Sequence, residues 1–161
     1  MIFPFVELDE EKTRFSAACN TAEDVALRLV GRAEQNSQGL RIKLQKKGFE
    51  NTVIQEVISR LLDRDLLNDA RYAELWLRSR ISVKRMLTPL YLRSSLGRKG
   101  IDIKSSQKAL EKVLDLETEY LILVNYIEKA GFTKSKMNSI TKTLLKKEGF
   151  SSNVLAQYYS S

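Results

Sequence analysis

Leu44–Gln45–Lys46–Lys47–Gly48–Phe49 decides the fold, because its pattern returns twice along the chain, as Leu96–Gly97–Arg98–Lys99–Gly100–Ile101 and as Leu145–Lys146–Lys147–Glu148–Gly149–Phe150. Each copy runs from an apolar residue to a charged residue, then glycine, then a second apolar residue. The glycines lie 52 and 49 residues apart, a period that holds several helical runs and predicts tandem three-helix modules. A helix carrying Leu44 should stop near Lys47–Gly48, since glycine enters the left-handed conformation that closes a helix. Phe49 then folds back onto the helix just ended, and Asn51 or Thr52 is expected to cap the next one. Lysine beside Gly48 and Gly100 suits a helix carboxyl end, where cations meet the negative pole of the dipole.

The match extends outward. Leu40, Leu92 and Thr141 stand eight residues before the glycines, and Arg41, Arg93 and Lys142 seven before. Behind the first glycine, Val53, Ile54, Val57, Ile58, Leu61 and Leu62 fall at helical spacing. Ala109, Leu110, Val113 and Leu114 repeat part of that pattern, and Val154, Leu155, Tyr158 and Tyr159 give a shorter version. The first helix of each module is read from Val25, Ala26, Leu29 and Val30, from Tyr72–Leu77 behind a capping Asp69, and from Leu121–Tyr126. The expected boundaries are an N-terminal arm over 1–19, loosely packed and acidic, and repeats over 20–67, 68–116 and 117–161. Gly31–Gly39 reads as a polar connector with Ser37 as a cap. Thr88–Pro89 reads as a cap followed by a first helical residue. Leu44, Gly48, Phe49, Asp69, Tyr72, Trp76, Leu96, Gly100, Ile101, Gly149 and Phe150 are the expected structural anchors of this all-α fold.

The composition, 43% hydrophobic and 29% charged, supports a folded chain rather than a disordered one. Its net charge of +7 is uneven: residues 68–110 hold ten basic and three acidic residues, while residues 1–24 hold two basic and six acidic. The middle of the chain therefore favours an anionic partner. With one cysteine, Cys19, and no histidine, an internal disulfide and the usual His/Cys zinc sites are excluded. Ser37, Ser94, Ser95 and Cys19 lack a histidine base, so base-activated hydrolysis has no support. Neither GxxxxGK[ST] nor GxGxxG occurs. Asp63, Asp65, Asn68 and Asp69 read as ion-pairing and capping residues rather than metal ligands. No catalytic residue, cofactor or metal is expected. The absence of a basic leader followed by a long apolar run makes the cytoplasm the expected compartment.

Arg71, Arg78, Arg80, Lys84 and Arg85 lie on or just after the helix that carries Trp76, and Arg93, Arg98 and Lys99 follow on the next. Arg71 and Arg78, seven apart, share a helix face, and Arg80, Lys84 and Arg85 are expected to continue it. Fixed cations of this kind engage DNA phosphates or acidic protein loops without any catalytic group. Trp76 is read mainly as a core anchor, with stacking or protein contact as its second role.

The segment Leu67–Asn68–Asp69–Ala70–Arg71–Tyr72–Ala73–Glu74–Leu75–Trp76–Leu77–Arg78–Ser79–Arg80 resembles the leucine–asparagine–aspartate segment and tryptophan-containing helix of the RecX family. Leu96–Ile101 resembles that family's lysine–glycine–isoleucine turn, and Ala26–Leu29 and Leu44–Phe49 resemble its first module. Together with the triple repeat, the likeness covers about residues 22–159. It implies tandem three-helix repeats in an elongated, curved molecule that lies in the groove of a RecA filament on single-stranded DNA. There it would modulate, and commonly inhibit, filament extension, RecA-coupled ATP hydrolysis and strand exchange, in bacterial recombination and the SOS response. The expected partner is thus the RecA filament, with direct DNA contact as an addition, no membrane, and a monomeric chain. The alternatives are an independent helical DNA-binding module and a protein-interaction scaffold.

Overall fold

A computed structural model describes residues 4–83, 86–132 and 138–160. Every regular element among them is an α-helix: α1 (Pro4–Arg32), α2 (Ser37–Lys46), α3 (Asn51–Asp63), α4 (Asp69–Ile81), α5 (Pro89–Arg98), α6 (Ile103–Val113), α7 (Leu116–Ala130), α8 (Ser139–Lys147) and α9 (Ser152–Ser160). The fold is all-α. The chain forms two compact units, Met1–Asp69 and Ala70–Ser161.

In the first unit, Cys19, Ala22 and Ala26 of α1 meet Leu40 and Leu44 of α2 and Val53, Ile54, Val57, Ile58 and Leu61 of α3. The small side chains on α1 allow close approach, and the large ones on α3 fill the space. Burying each Val, Leu or Ile contributes about 1.5–3 kcal/mol, so this stripe holds the unit together. In the second unit, one cluster runs through all six helices. It joins Leu77 of α4, Leu92 and Leu96 of α5, Leu110 of α6, Leu123 of α7, Leu145 of α8 and Leu155 of α9.

The repeated glycine turn recurs in the same geometry at each copy. Gly48, Gly100 and Gly149 have φ of +87°, +76° and +91°. Behind them the N–H groups of Phe49, Ile101 and Phe150 donate to the carbonyls of Leu44, Leu96 and Leu145 at 3.3, 3.2 and 3.2 Å. In each case the next helix begins three residues after the glycine, at Asn51, Ile103 and Ser152. A fourth turn of the kind, absent from the sequence reading, closes α7: Gly131 has φ +70° and Phe132 N–H donates to the Ile127 carbonyl at 3.1 Å. At the end of α3 the left-handed position is filled by Asp65, φ +52°, a residue type that tolerates it better than most.

Several local expectations are corrected. The described part of the 1–19 segment is helical, since α1 is continuous from Pro4, and residues 9–17 are exposed on it. Alternating charges suit an exposed helix, and Arg14 stands 3.9 Å from Glu10 one turn away. The connector between α1 and α2 is only 33–36, so Gly31 and Gly39 both lie in helices. Asn36, not Ser37, caps α2: its Oδ1 accepts the Gly39 N–H at 2.6 Å. Neither Asn51 nor Thr52 caps α3, which starts after Glu50 with no side-chain cap bond. Asp69 is the first residue of α4, and its Oδ1 accepts the Ser37 N–H at the start of α2, at 2.7 Å. Thr88 does cap α5, accepting the Tyr91 N–H at 3.1 Å, with Pro89 as the first helical residue.

Gly48→Ala should destabilise the chain by about 1–2 kcal/mol, the cost of a Cβ in the left-handed region. Gly149→Ala should cost more, because its Cβ would come within 3.0 Å of the Leu90 nitrogen, whereas at Gly48 no atom lies within 4 Å. Urea titrations of the two variants, followed by circular dichroism, should rank them in that order. Equal losses would contradict the crowding at Gly149.

Candidate functional site

The second unit carries the basic middle of the chain, and α4 organises it. Ala73 and Leu77, one turn apart, face the core. Tyr72 and Trp76 stand on the edge of that stripe and are half-buried against the same cluster. Trp76 is thus a core anchor on one side and a surface ring on the other. Arg80, one turn further, holds its guanidinium carbon 5.2 Å from the centre of the Trp76 ring. Lys99, the residue that ends α5 before the Gly100 turn, brings its Nζ to 5.4 Å from the same ring. A cation over an indole face is worth about 0.5–1 kcal/mol where water has access, enough to orient both side chains. Among the described residues, no carboxylate forms an ion pair with either.

A second ring–cation pair adjoins in sequence. Arg98 places its guanidinium 5.9 Å from the centre of Tyr91, and its Nη2 donates to Ser95 Oγ at 2.9 Å. Tyr91 is 46% exposed. Tyr91 and Arg98 are seven apart on α5, so the helical repeat puts them on one face. Sequence reasoning named Arg98 and missed Tyr91. The signal was that spacing, measured from the Thr88–Pro89 helix start.

Among the described residues, Arg78 and Arg80 of the expected contact set do not share a face of α4. Arg78 Nη2 lies 3.2 Å from Glu74 Oε1, and the other oxygen of Glu74 takes Lys112 Nζ at 2.7 Å. Two residues along a helix turn about 200°, so Arg78 and Arg80 leave α4 on opposite sides. Arg71 is half-buried and shares the Arg78 side by its spacing of seven. Arg93 is exposed beside a groove between α5 and α6. Lys84 and Arg85 lie outside the described residues. What the structure brings together is Trp76 with Arg80 and Lys99, and Tyr91 with Arg98.

Glu74 is one of three carboxylates that the sequence reading left without this role. The hydrogen bond from Lys112 is the largest influence holding its carboxyl below the usual value; burial opposes it, and the bond from Arg78 adds to the lowering. It therefore stays ionised and ties α4 to α6. Glu23 on α1 takes Arg60 of α3 and Arg64, the residue that caps its end, and Glu119 on α7, 7% exposed, accepts the N–H and hydroxyl of Ser151 at 2.6 and 2.8 Å where α9 begins. Three times, then, an acid on one helix holds another helix two further along the chain.

Among the described residues no group of three or more His, Cys, Asp or Glu side chains could hold a metal ion. Burial pushes the Cys19 thiol up from its ordinary value, opposite to what a reactive thiolate needs. No described helix is long and apolar enough to cross a membrane.

Comparison with known proteins identifies a family and its fold. Residues 22–61 match the family description "RecX, first three-helix domain". Over 115 residues the chain is 34% identical to the regulatory protein RecX of Treponema pallidum strain Nichols, covering 71% of this chain and 70% of that protein. The chain belongs to the RecX family. A second RecX protein, from Syntrophotalea carbinolica, is 31% identical over 144 residues, covering 84% of this chain and 92% of its own. The crystal structure of RecX from Lactobacillus salivarius superposes with a TM-score of 0.65 at 23% identity, over 90% of this chain and 98% of that one. Another RecX crystal structure gives 0.69 at 17% identity, over 96% and 78%. RecX proteins are regulatory proteins, and this member shares their fold.

The pH dependence of the Glu74 contacts has a definite sign. A carboxylate whose folded pKa is depressed stabilises the fold above its unfolded pKa, and that contribution disappears as pH falls through the folded value. Glu74→Gln should therefore melt below the wild type at neutral pH, and the two should converge in acid. A difference that persists at the acid end would mean that Glu74 acts through packing rather than charge.

Proposed function

We propose that this RecX-family chain binds the RecA filament assembled on single-stranded DNA and restrains it, hindering filament extension, ATP hydrolysis by RecA and strand exchange. The observation that carries this reading is the Trp76 ring flanked by Arg80 and Lys99, together with the Tyr91–Arg98 pair on α5, in a member of a family of regulatory proteins. Cations fixed on rings are pre-oriented, so little side-chain freedom is lost when an anionic surface arrives. A nucleoprotein filament offers such a surface in its phosphates and its acidic side chains. The ATP belongs to RecA, and this chain supplies contacts alone, with no cofactor.

The same reading makes the chain a monomer of the bacterial cytosol that acts in recombination and the SOS response. It keeps the threefold division 20–67, 68–116 and 117–161 as the repeating unit. A second reading, an independent helical DNA-binding module, draws support from Tyr91, whose exposed ring could stack a base. That module would bind naked single strands as tightly as coated ones, with a steep salt dependence.

Charge reversal separates the residues. Arg80→Glu with Lys99→Glu should weaken filament binding by about tenfold or more, since two favourable charges become repulsive. Helix content should be unchanged. Arg78→Ala should have little effect on binding, because its charge is already compensated by Glu74. Filament co-sedimentation of the two variants tests this. Loss with Arg78→Ala and none with the double reversal would move the contact to the other side of α4. Trp76→Ala should lower both the melting temperature and the affinity, since the ring serves core and surface together.

A further inference from the structure

Aligned on their glycines, the three copies of the repeat differ where it matters for one surface. Three residues before the glycine stand Gln45, Gly97 and Lys146; one after it stand Phe49, Ile101 and Phe150; six after it stand Ile54, Ser106 and Leu155. At each position the middle copy has the smaller side chain. The space so opened is a groove of about 290 Å³ between α5 and α6, lined by Arg93, Gly97, Ile101, Ile103, Ser106 and Gln107. Gly97 lies in the last turn of α5, and a Cβ added there would meet no atom within 4 Å. Ile103 opens α6 and is 90% exposed, whereas the other copies open the corresponding helix with the polar Asn51 and Ser152. The fold thus requires neither the missing side chain at 97 nor the apolar one at 103.

We propose that this groove docks a segment of a partner protein that presents one large apolar side chain flanked by carboxylates. A cavity of about 150 Å³ already accepts a benzene-sized group, so the groove has room for such an anchor. Its charge fits the flanks: residues 93–108 carry five basic side chains and one acidic one. Arg93 lines the groove, and Lys104 and Lys108 are exposed on α6. The acids nearby are engaged within the chain, Asp102 by the Ser105 N–H at 2.9 Å and Glu111 by the Gln107 amide at 2.7 Å. The lining contains no aromatic ring on which a base could stack, so the observations favour a protein segment over nucleic acid. The inference rests on the reading of the chain as a binder of a nucleoprotein filament, and it names what the protein part of that filament would offer.

The test uses the full chain and two short synthetic peptides of Asp and Glu, one with a single central leucine and one with alanine in its place. The leucine peptide should shift the amide resonances of Gly97, Ser106 and Gln107, and the alanine peptide should not. Gly97→Gln, which fills the groove with the residue found at 45, should abolish those shifts while leaving binding to single-stranded oligothymidylate unchanged. Absent shifts, equal shifts from both peptides, or displacement of the peptide by the oligonucleotide at the same amides would overturn the proposal. On the filament, Gly97→Gln and Ile103→Asn should each weaken binding by about tenfold, as expected for loss of an apolar anchor site. Unchanged affinity in both, alongside loss with the Arg80/Lys99 reversal, would overturn the groove and leave the proposed function standing. Failure of the wild-type chain to bind the filament would remove the proposed function, and the peptide arm would still decide the groove.

Discussion

The backbone hydrogen bond that closes each glycine turn, from Phe49 to Leu44, Ile101 to Leu96 and Phe150 to Leu145, governs where the rest of the structure falls. It can form only if the residue between takes a left-handed conformation, which glycine does without a Cβ clash. Once it forms, the next helix starts three residues on, and its apolar stripe meets the helix just completed. The same turn also positions a cation of the proposed binding surface. It stops α5 at Arg98, leaves Lys99 as the capping residue, and so hands that lysine to the Trp76 ring. A change that moved Gly100 by one residue would rotate Lys99 by about 100° around the helix and away from the indole.

Carboxylates supply a second constraint. Glu23, Glu74 and Glu119 each hold a later helix, but they do so by different chemistry: two arginines, a lysine with an arginine, and a helix start. Glu119 is the most buried of them and serves as a cap supplied from a distance, which satisfies donors that a helix start leaves without intrahelical partners. Glu74 matters most for the proposed binding surface. By taking Arg78 and Lys112, it sets those two cations apart from Arg80, Arg98 and Lys99, which rest on aromatic rings.

Much of the fold was legible because it rests on local rules: glycine at a helix end, apolar residues at helical spacing, Thr88–Pro89 at a helix start. The site was legible in composition and only partly in geometry. Charge counting found Arg80, Arg98 and Lys99, yet it also grouped Arg78 with Arg80, although two residues on a helix point to opposite sides. Tyr91 and Glu74 escaped because their roles depend on partners seven residues away on a helix or on another helix altogether. The continuation of α1 through the 1–19 segment escaped for a related reason. An exposed polar helix without a buried stripe gives no periodic signal, and acidic residues alone read as a loose arm. Departures from the repeat, Gly97, Ser106 and Ile103, were visible in the sequence from the start. They acquired meaning only when the structure put them on one groove.

The central claim is that the surface around Trp76 serves an assembled nucleoprotein rather than either of its parts. Equilibrium binding of the chain to free RecA, to free single-stranded DNA, and to ATP-loaded RecA on that same DNA tests it most directly, at near-physiological salt. Binding to the assembled filament should be clearly tighter than to either component. Equal affinity for naked and coated DNA, or no binding to the filament, would contradict it.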